Sequence, residues 1–413
     1  MTASAAPSRI RSMDQFRGYT VAGMYLVNFV APFVVIPALL KHNNTHFSYA
    51  DSIMPSFLFC AGFSYRLTAL RRWREAGAWT ASVSFVRRSL ALVLLCLFVF
   101  SLQKGFDSWR DMSARGVWEY VCCLVKAGMW DVLSIIGVTQ LLLLPVIIRH
   151  WFVRFATALA MAATHLILTY AFNYEFQFGL PSALDPYFGA HGTRVWDGGL
   201  WGPLAWSVPM LAGSLAYDWV TRLGQSAGRA GWGLFLAGCV LMSEGYGLSC
   251  LTRLYDVVPG SQGGTARRAA GSPHAPDPVW PEAWRWEQRG WQWAELPGVA
   301  PPPPRQRQWN YWMMNKRIVS LSFNTFATGS ALFVYALFVW ACDAGNWQLD
   351  RFRMLGQNPL AAYLIHEFVF RGVHRFAPPD SPWWWIVVTG MVFLLVTFGT
   401  VRYLERQRLF FRL

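Results

Sequence analysis

The sequence predicts an all-α, polytopic membrane fold with about ten transmembrane helices, and three observations support that prediction. Of the 413 residues, 54% are hydrophobic, 16% aromatic and only 14% charged, a balance foreign to soluble domains. The apolar residues gather into runs of about 17 to 25, the length that crosses a hydrocarbon core. Lys and Arg sit in short segments between those runs, so the formal net charge of +14 reads as membrane topology and not as a nucleic-acid-binding stripe. Membrane lipid is thus an expected partner, and nucleic acid is not.

Taken in order, the spans fall at 13–38, 52–70, 87–103, 129–148, 152–172, 199–220, 229–250, 318–341, 356–372 and 382–402. The opening MTASAAPSRIRSM has no apolar h-region or cleavage site, so the first span is expected to be retained. Ser12 followed three residues later by Gln15 fits a capping box that opens this helix near Met13. Asn28 then lies about 22 Å along the helix. Pro32 and Pro37 follow and disfavour its straight continuation. The break matters because Asn28 and His42 would stand roughly 21 Å apart in a continuous helix.

An even number of spans puts both termini on one side. Assigning that side to the cytoplasm leaves 19 Lys and Arg in inner segments against 8 in the short outer loops, as the positive-inside rule requires. The long 251–317 loop, with PPPP at 301–304, is then external. Its Trp280, Trp284, Trp286, Trp291, Trp293, Trp309 and Trp312 suit either the headgroup level or a sugar-stacking surface. The seven cysteines show no C-x-x-C and no metal spacing, so neither a disulfide nor a metal is expected.

Chemistry concentrates after the proline break, in LKHNNTHFSYADSIMPSFLF, where His42, His46 and Asp51 precede the second span. An imidazole is suited to take a proton from an attacking amine or hydroxyl, and a nearby carboxylate can orient the ring. The plain alternative is an ordinary interfacial loop. Asn358, His366 and Glu367 are polar groups within or beside apolar runs, where they line a cavity or form a structural network. His165, alone in an apolar run, reads as a packing residue. No nucleotide-binding loop has a supporting context, so a coenzyme would need a helix-lined cavity, with Arg66, Arg71, Arg72, Arg87 and Arg88 as phosphate partners or simply as inner-loop charges.

Four blocks carry a resemblance to a known family: RSMDQFRG with the following VNF; KHNNTHFSYADSIMPSFLFCAGFS; DPYFGAHGTRVWDGGLWG at 185–202; and MNKRIVSLSF followed by LGQNPLAAYLIHE. Through them the chain resembles the heparan-α-glucosaminide N-acetyltransferase family and its uncharacterised bacterial relatives. The resemblance implies transfer of an acetyl group from cytosolic acetyl-CoA to an amino sugar or glycan across the membrane. It also implies that His42 is the catalytic histidine, with His46 the alternative, and that Asn28 is the active-site asparagine. Asp14, Arg17 and Asp51 match characteristic polar positions of the family. Asp185, His191 and Asp197 fall in the third block, which the resemblance makes an acceptor-side loop. The chain departs from the family at Ser134 and Ile135, where a Gln-Arg pair is usual, in the length of the Asn28–His42 segment, and in the 251–317 loop.

The expected function is therefore an acyl-CoA-dependent N- or O-acyltransferase in a bacterial inner membrane, with both termini cytoplasmic and a homodimer left open. The competing class is a multi-pass transporter or channel, against which the absence of visible internal repeats counts.

Overall fold

The computed structural model describes residues 10–101, 108–114, 116–118, 131–184, 197–222, 225–257, 273–290 and 292–411. Among these the secondary structure is helical, with two isolated β-bridges, Asp256–Arg307 and His274–Trp309, in the long loop. The helices are α1 (Arg11–Val30), α2 (Tyr49–Cys96), α3 (Val132–Leu143), α4 (Trp151–Leu168), α5 (Gly202–Val220), α6 (Ala227–Cys250), α7 (Ala283–Arg289), α8 (Leu321–Phe338), α9 (Asp350–Gln357), α10 (Pro359–His374) and α11 (Trp383–Arg406). Five described segments are long and apolar enough to cross a membrane: Tyr49–Val99, Trp151–Phe178, Ala227–Tyr255, Leu321–Ala344 and Trp383–Arg406.

Several expected boundaries move. The first span stops at Val30, not residue 38, and a turn and a short 3-10 segment (Ala38–Leu40) follow, as Pro32 and Pro37 led us to expect. Ser12 and Gln15 form no capping box, because distant partners claim them. Ser12 N–H donates to Asp343 Oδ1 (3.1 Å), and the Gln15 amide exchanges two hydrogen bonds with the Leu349 backbone (3.2 and 3.1 Å). The second and third spans lie in one helix, α2, which folds back at Gly77, whose φ of 78° only glycine adopts readily. Trp73 stacks on Phe85 and Tyr65 meets the same ring edge-on, closing this helical hairpin. The fourth span shrinks to the 12-residue α3, and the ninth breaks at Asn358 between α9 and α10.

The bundle is held by close backbone approach. A Cβ on Gly62 of α2 would sit 1.7 Å from Met210 O of α5, and one on Gly213 of α5 would sit 2.0 Å from Phe59 O of α2. Gly18 of α1 and Gly356 of α9 make a similar seam, against Phe352 O and Asp14 O. Small residues let helix axes come together where lipid supplies no hydrophobic drive between helices. An ion cluster ties α2, α4 and α5: the partly exposed Asp218 accepts from Arg66 (2.9 and 3.1 Å) and from the fully buried Arg154.

The described parts of the 251–317 loop pack Tyr255, Val279, Tyr311 and Trp312 into a core shared with Tyr174 and Ile318. Arg307, almost fully buried, joins Asp256 to Glu295. Trp280, Trp284 and Trp286 stay exposed on it, whereas Trp312 is core; Trp291 and residues 258–272 lie outside the described residues.

Candidate functional site

The capping box missing from α1 is found at α2. Ser48 caps the helix by accepting from Asp51 N, while Asp51 Oδ2 accepts from Ser48 N (3.2 Å) and Asn43 N (3.3 Å). Fastening Asp51 in this way aims its other oxygen, Oδ1, at His42 Nδ1, 2.8 Å away. The carboxylate is 1% exposed and the imidazole 44% exposed. Asp51 meets only donors here, so Nδ1 of His42 donates to it, and Nε2 is the nitrogen on the far side of the ring. A carboxylate-oriented imidazole is a geometry that general bases use. His46 pairs instead with the hydroxyl of its own neighbour, Thr45 (3.0 Å).

Two loop turns bring further charge to this end. Lys316 Nζ lies 3.5 Å from His42 Nε2 and 3.8 Å from Asp197 Oδ2. The Asn315–Ser320 turn that carries Lys316 is tightly determined. Asn315 Oδ1 accepts from the amides of Arg317 (2.8 Å) and Ile318 (3.3 Å), and Ser320 caps α8. Val319 sits at φ 52°, a left-handed conformation that costs a β-branched residue about 1–3 kcal/mol. The Asp197 turn docks on this one through Gly198 N–H, which donates to Arg317 O (2.7 Å). The buried Asn173, in a π-helical turn after α4, clamps the same turn through Gly198 O (3.0 Å) and Leu200 N (3.2 Å). His165 also approaches Gly198 O (3.4 Å), so it packs beneath the loop that presents Asp197.

Asn28 and His42 share no hydrogen bond. Nδ1 of His366 donates to Tyr363 O, which leaves Nε2 to accept from Asn28 Nδ2 at 3.1 Å. Tyr363 OH in turn donates to Asp131 Oδ1 (3.1 Å), and Asp131 lies near enough to Asp197 and Lys316 to feel both charges. Asn28 and His366 thus belong to a second polar group inside the bundle, beside the His42 group. The break after α1 was expected to let Asn28 and His42 share a site; Asn28 bonds His366 because α10 carries that ring against α1 in the interior.

Asp14 and Arg17 lie at the other end of α1, 3.8 Å apart, where Arg17 also donates to Gly356 O (3.0 Å) and Ser64 Oγ (2.5 Å). They line a cavity of about 1140 Å³ together with Arg11, Arg71, Asp343 and Asn346. Of the arginines considered for a coenzyme, Arg71 alone lines it; Arg66 is paired with Asp218, and Arg72 donates to Ser84. Asn358 bonds the C-terminal backbone at Leu409 and Phe411, and Glu367 pairs with Arg371 (2.7 Å), so both hold structure locally. Asp185 and His191 lie outside the described residues.

Residue-level reading missed Lys316, Asp131, Tyr363 and Asn173. Lys316 had a signal: an Asn-Lys-Arg triplet with two cations directly before an apolar run, on the same predicted face as His42. Compared with protein-family models and with curated proteins, the sequence finds no match in either.

Proposed function

We propose that the chain is a multi-pass transmembrane acyltransferase that moves an acetyl or other acyl group from cytosolic acyl-CoA to an amino-sugar or glycan acceptor on the opposite face. In this reading ten crossings are made by α1, the two arms of α2, α3, α4, α5, α6, α8, α10 and α11. Both termini are cytoplasmic, in a bacterial inner membrane. Contacts between Gln15 and Leu349 and between Arg353 and Glu405 gather both described chain ends at the Arg11 end, which agrees with an even number.

The observation that carries the reading is the His42–Asp51 pair, which orients a half-exposed imidazole. The cavity at the opposite end supports it. Its volume suits a nucleotide-sized ligand, and Arg11, Arg17 and Arg71 offer the charge-assisted donors that phosphates take. A donor with its phosphates there has to extend along α1 by about 20 Å, the Asp14–Asn28 rise, to present its thioester near His42. His42 Nε2 would take the proton of the acceptor amine or hydroxyl as it attacks the thioester carbonyl.

The test is acyl transfer by purified protein in nanodiscs, with acetyl-CoA and a screen of amino sugars and hydroxylated glycans, read as acylated product and released thiol. His42→Ala is expected to lose 10²–10⁴-fold in rate, about the worth of a general base, with acyl-CoA binding retained. His46→Ala is expected to lose less. Full transfer in both variants would remove the mechanism and make a transporter the better reading.

A further inference from the structure

We infer that Lys316 is a catalytic residue of the transfer, the cation that receives the oxyanion formed when the acceptor attacks the thioester. The inference rests on the acyltransfer reading and assigns a group which that reading leaves open. Attack on a thioester builds negative charge on the carbonyl oxygen, and a positioned donor at that point is among the largest contributions to catalysis of this kind. Asn28 is the donor that the family resemblance offers, but one N–H of its amide is engaged by His366 inside the bundle. The Asn43 amide nitrogen is engaged as well, by Ala38 O and Lys41 O (both 3.0 Å). Lys316 is differently placed. Its ammonium lies 3.5 Å from His42 Nε2, on the side of the ring away from Asp51, and its side chain is only 14% exposed.

A nucleophile that hands its proton to Nε2 must sit roughly 3 Å from that nitrogen. It therefore occupies the space the ammonium now shares, and the carbonyl under attack lies within reach of the flexible lysine stem. The ammonium lies between His42 Nε2 at 3.5 Å and Asp197 Oδ2 at 3.8 Å. Asp197 keeps the charge in place when the acceptor displaces the contact with His42. The rigid turn beneath supplies the pre-organisation: the Asn315 side chain bonds two successive amides, Val319 is held in the left-handed region, and Gln177 Nε2 and Gly198 N both donate to Arg317 O (2.7 Å each).

The step balances within the site. The acceptor heteroatom bonds to the carbonyl carbon, its proton passes to His42 Nε2, and the carbonyl π pair becomes an oxyanion against Lys316. On collapse the C–S bond breaks and the CoA sulfur takes the proton from His42. Lys316 stays protonated throughout.

Wild type, Lys316→Met, Lys316→Arg and His42→Ala are compared in the nanodisc assay, with folding checked by size-exclusion profile and thermal unfolding. Lys316→Met is expected to lose about 10²–10³-fold in kcat, with KM for acetyl-CoA changed less than about threefold, as for loss of an oxyanion donor. Lys316→Arg is expected to recover at least about tenfold over Lys316→Met, because it restores the charge. If Lys316→Met does not fold, Lys316→Gln takes its place against the same thresholds. A neutral variant that keeps kcat within about threefold while His42→Ala loses transfer would overturn the role of Lys316 and leave the acyltransferase reading standing. Equal kcat for the Arg and neutral variants would also overturn it. Wild-type protein that transfers no acyl group, or a fully active His42→Ala, would remove the underlying reading and this inference with it.

Discussion

The two ends of the bundle are built on opposite principles. At the His42 end, side chains are pinned by backbone turns: Asp51 inside a capping box, Lys316 on an Asx turn with a left-handed valine, Asp197 on a turn clamped by Asn173. At the Arg11 end, arginines ring an open cavity of about 1140 Å³. Chemistry needs groups held to within a fraction of an ångström, whereas a ligand-admitting mouth needs room and charge. Under the acyltransferase proposal, a molecule with both, joined by a helix running from one to the other, would hold a long donor by one end and react it at the other.

The largest effect should come from the scaffold that both ends share. Gly62→Val places branched carbons where a single Cβ already lies 1.7 Å from Met210 O. The α2–α5 seam must then open, at a cost a marginally stable fold does not bear. Monodisperse protein should be lost, and with it both acyl-CoA binding and transfer; a well-folded variant with one function intact would show that the ends do not depend on a common seam.

Asp51→Asn should separate them. The amide can present an N–H to His42 Nδ1, which favours the tautomer with Nε2 protonated and so removes the base. Transfer is expected to fall by about 10²–10⁴-fold while acyl-CoA binding, measured by calorimetry, stays unchanged. Weakened binding would mean that the two ends are coupled.

Arg71→Ala should do the reverse at smaller scale. Its side chain is 56% exposed, so a phosphate contact there is worth about 1 kcal/mol. KM for acyl-CoA is expected to rise about fivefold with kcat unchanged, and the difference from wild type should shrink in high salt. A fall in kcat alone would place Arg71 on the wrong side of the comparison.

The smallest effect concerns the loop above the His42 end. His274 bonds Tyr174 OH through Nδ1 (3.1 Å), and burial, with the nearby Arg317 charge, pushes its pKa down to about 4. The unfolded loop therefore takes up the proton first as pH falls. The stability that neutral His274 contributes is whole above pH 6.5 and is lost between about 6.5 and 4. Tryptophan fluorescence should report loop loosening across that window, and His274→Gln should flatten it. An unchanged profile would leave His274 out of the loop's stability.

Local chemistry was legible in the sequence. The His42–Asp51 pair joins residues nine apart, so proximity in the chain already brings them together; the Ser48–Asp51 cap, three apart, was equally local but went unread. The proline break after α1 was equally plain, since Pro32 and Pro37 act on the backbone wherever they stand. Ser12 and Gln15 misled because an equally local pattern lost to partners more than 330 residues away.

By itself, then, the sequence determined an apolar helical chain, the end of its first helix, and a histidine with a carboxylate beside it. Hydropathy, proline sterics and short-range hydrogen bonding depend only on near neighbours. Only the tertiary structure decided that Lys316 reaches His42 across 274 residues and that Asn28 faces His366 across 338. Such pairings follow from which helices pack together, a property of glycine seams and turn geometry spread over the whole chain that no local window contains.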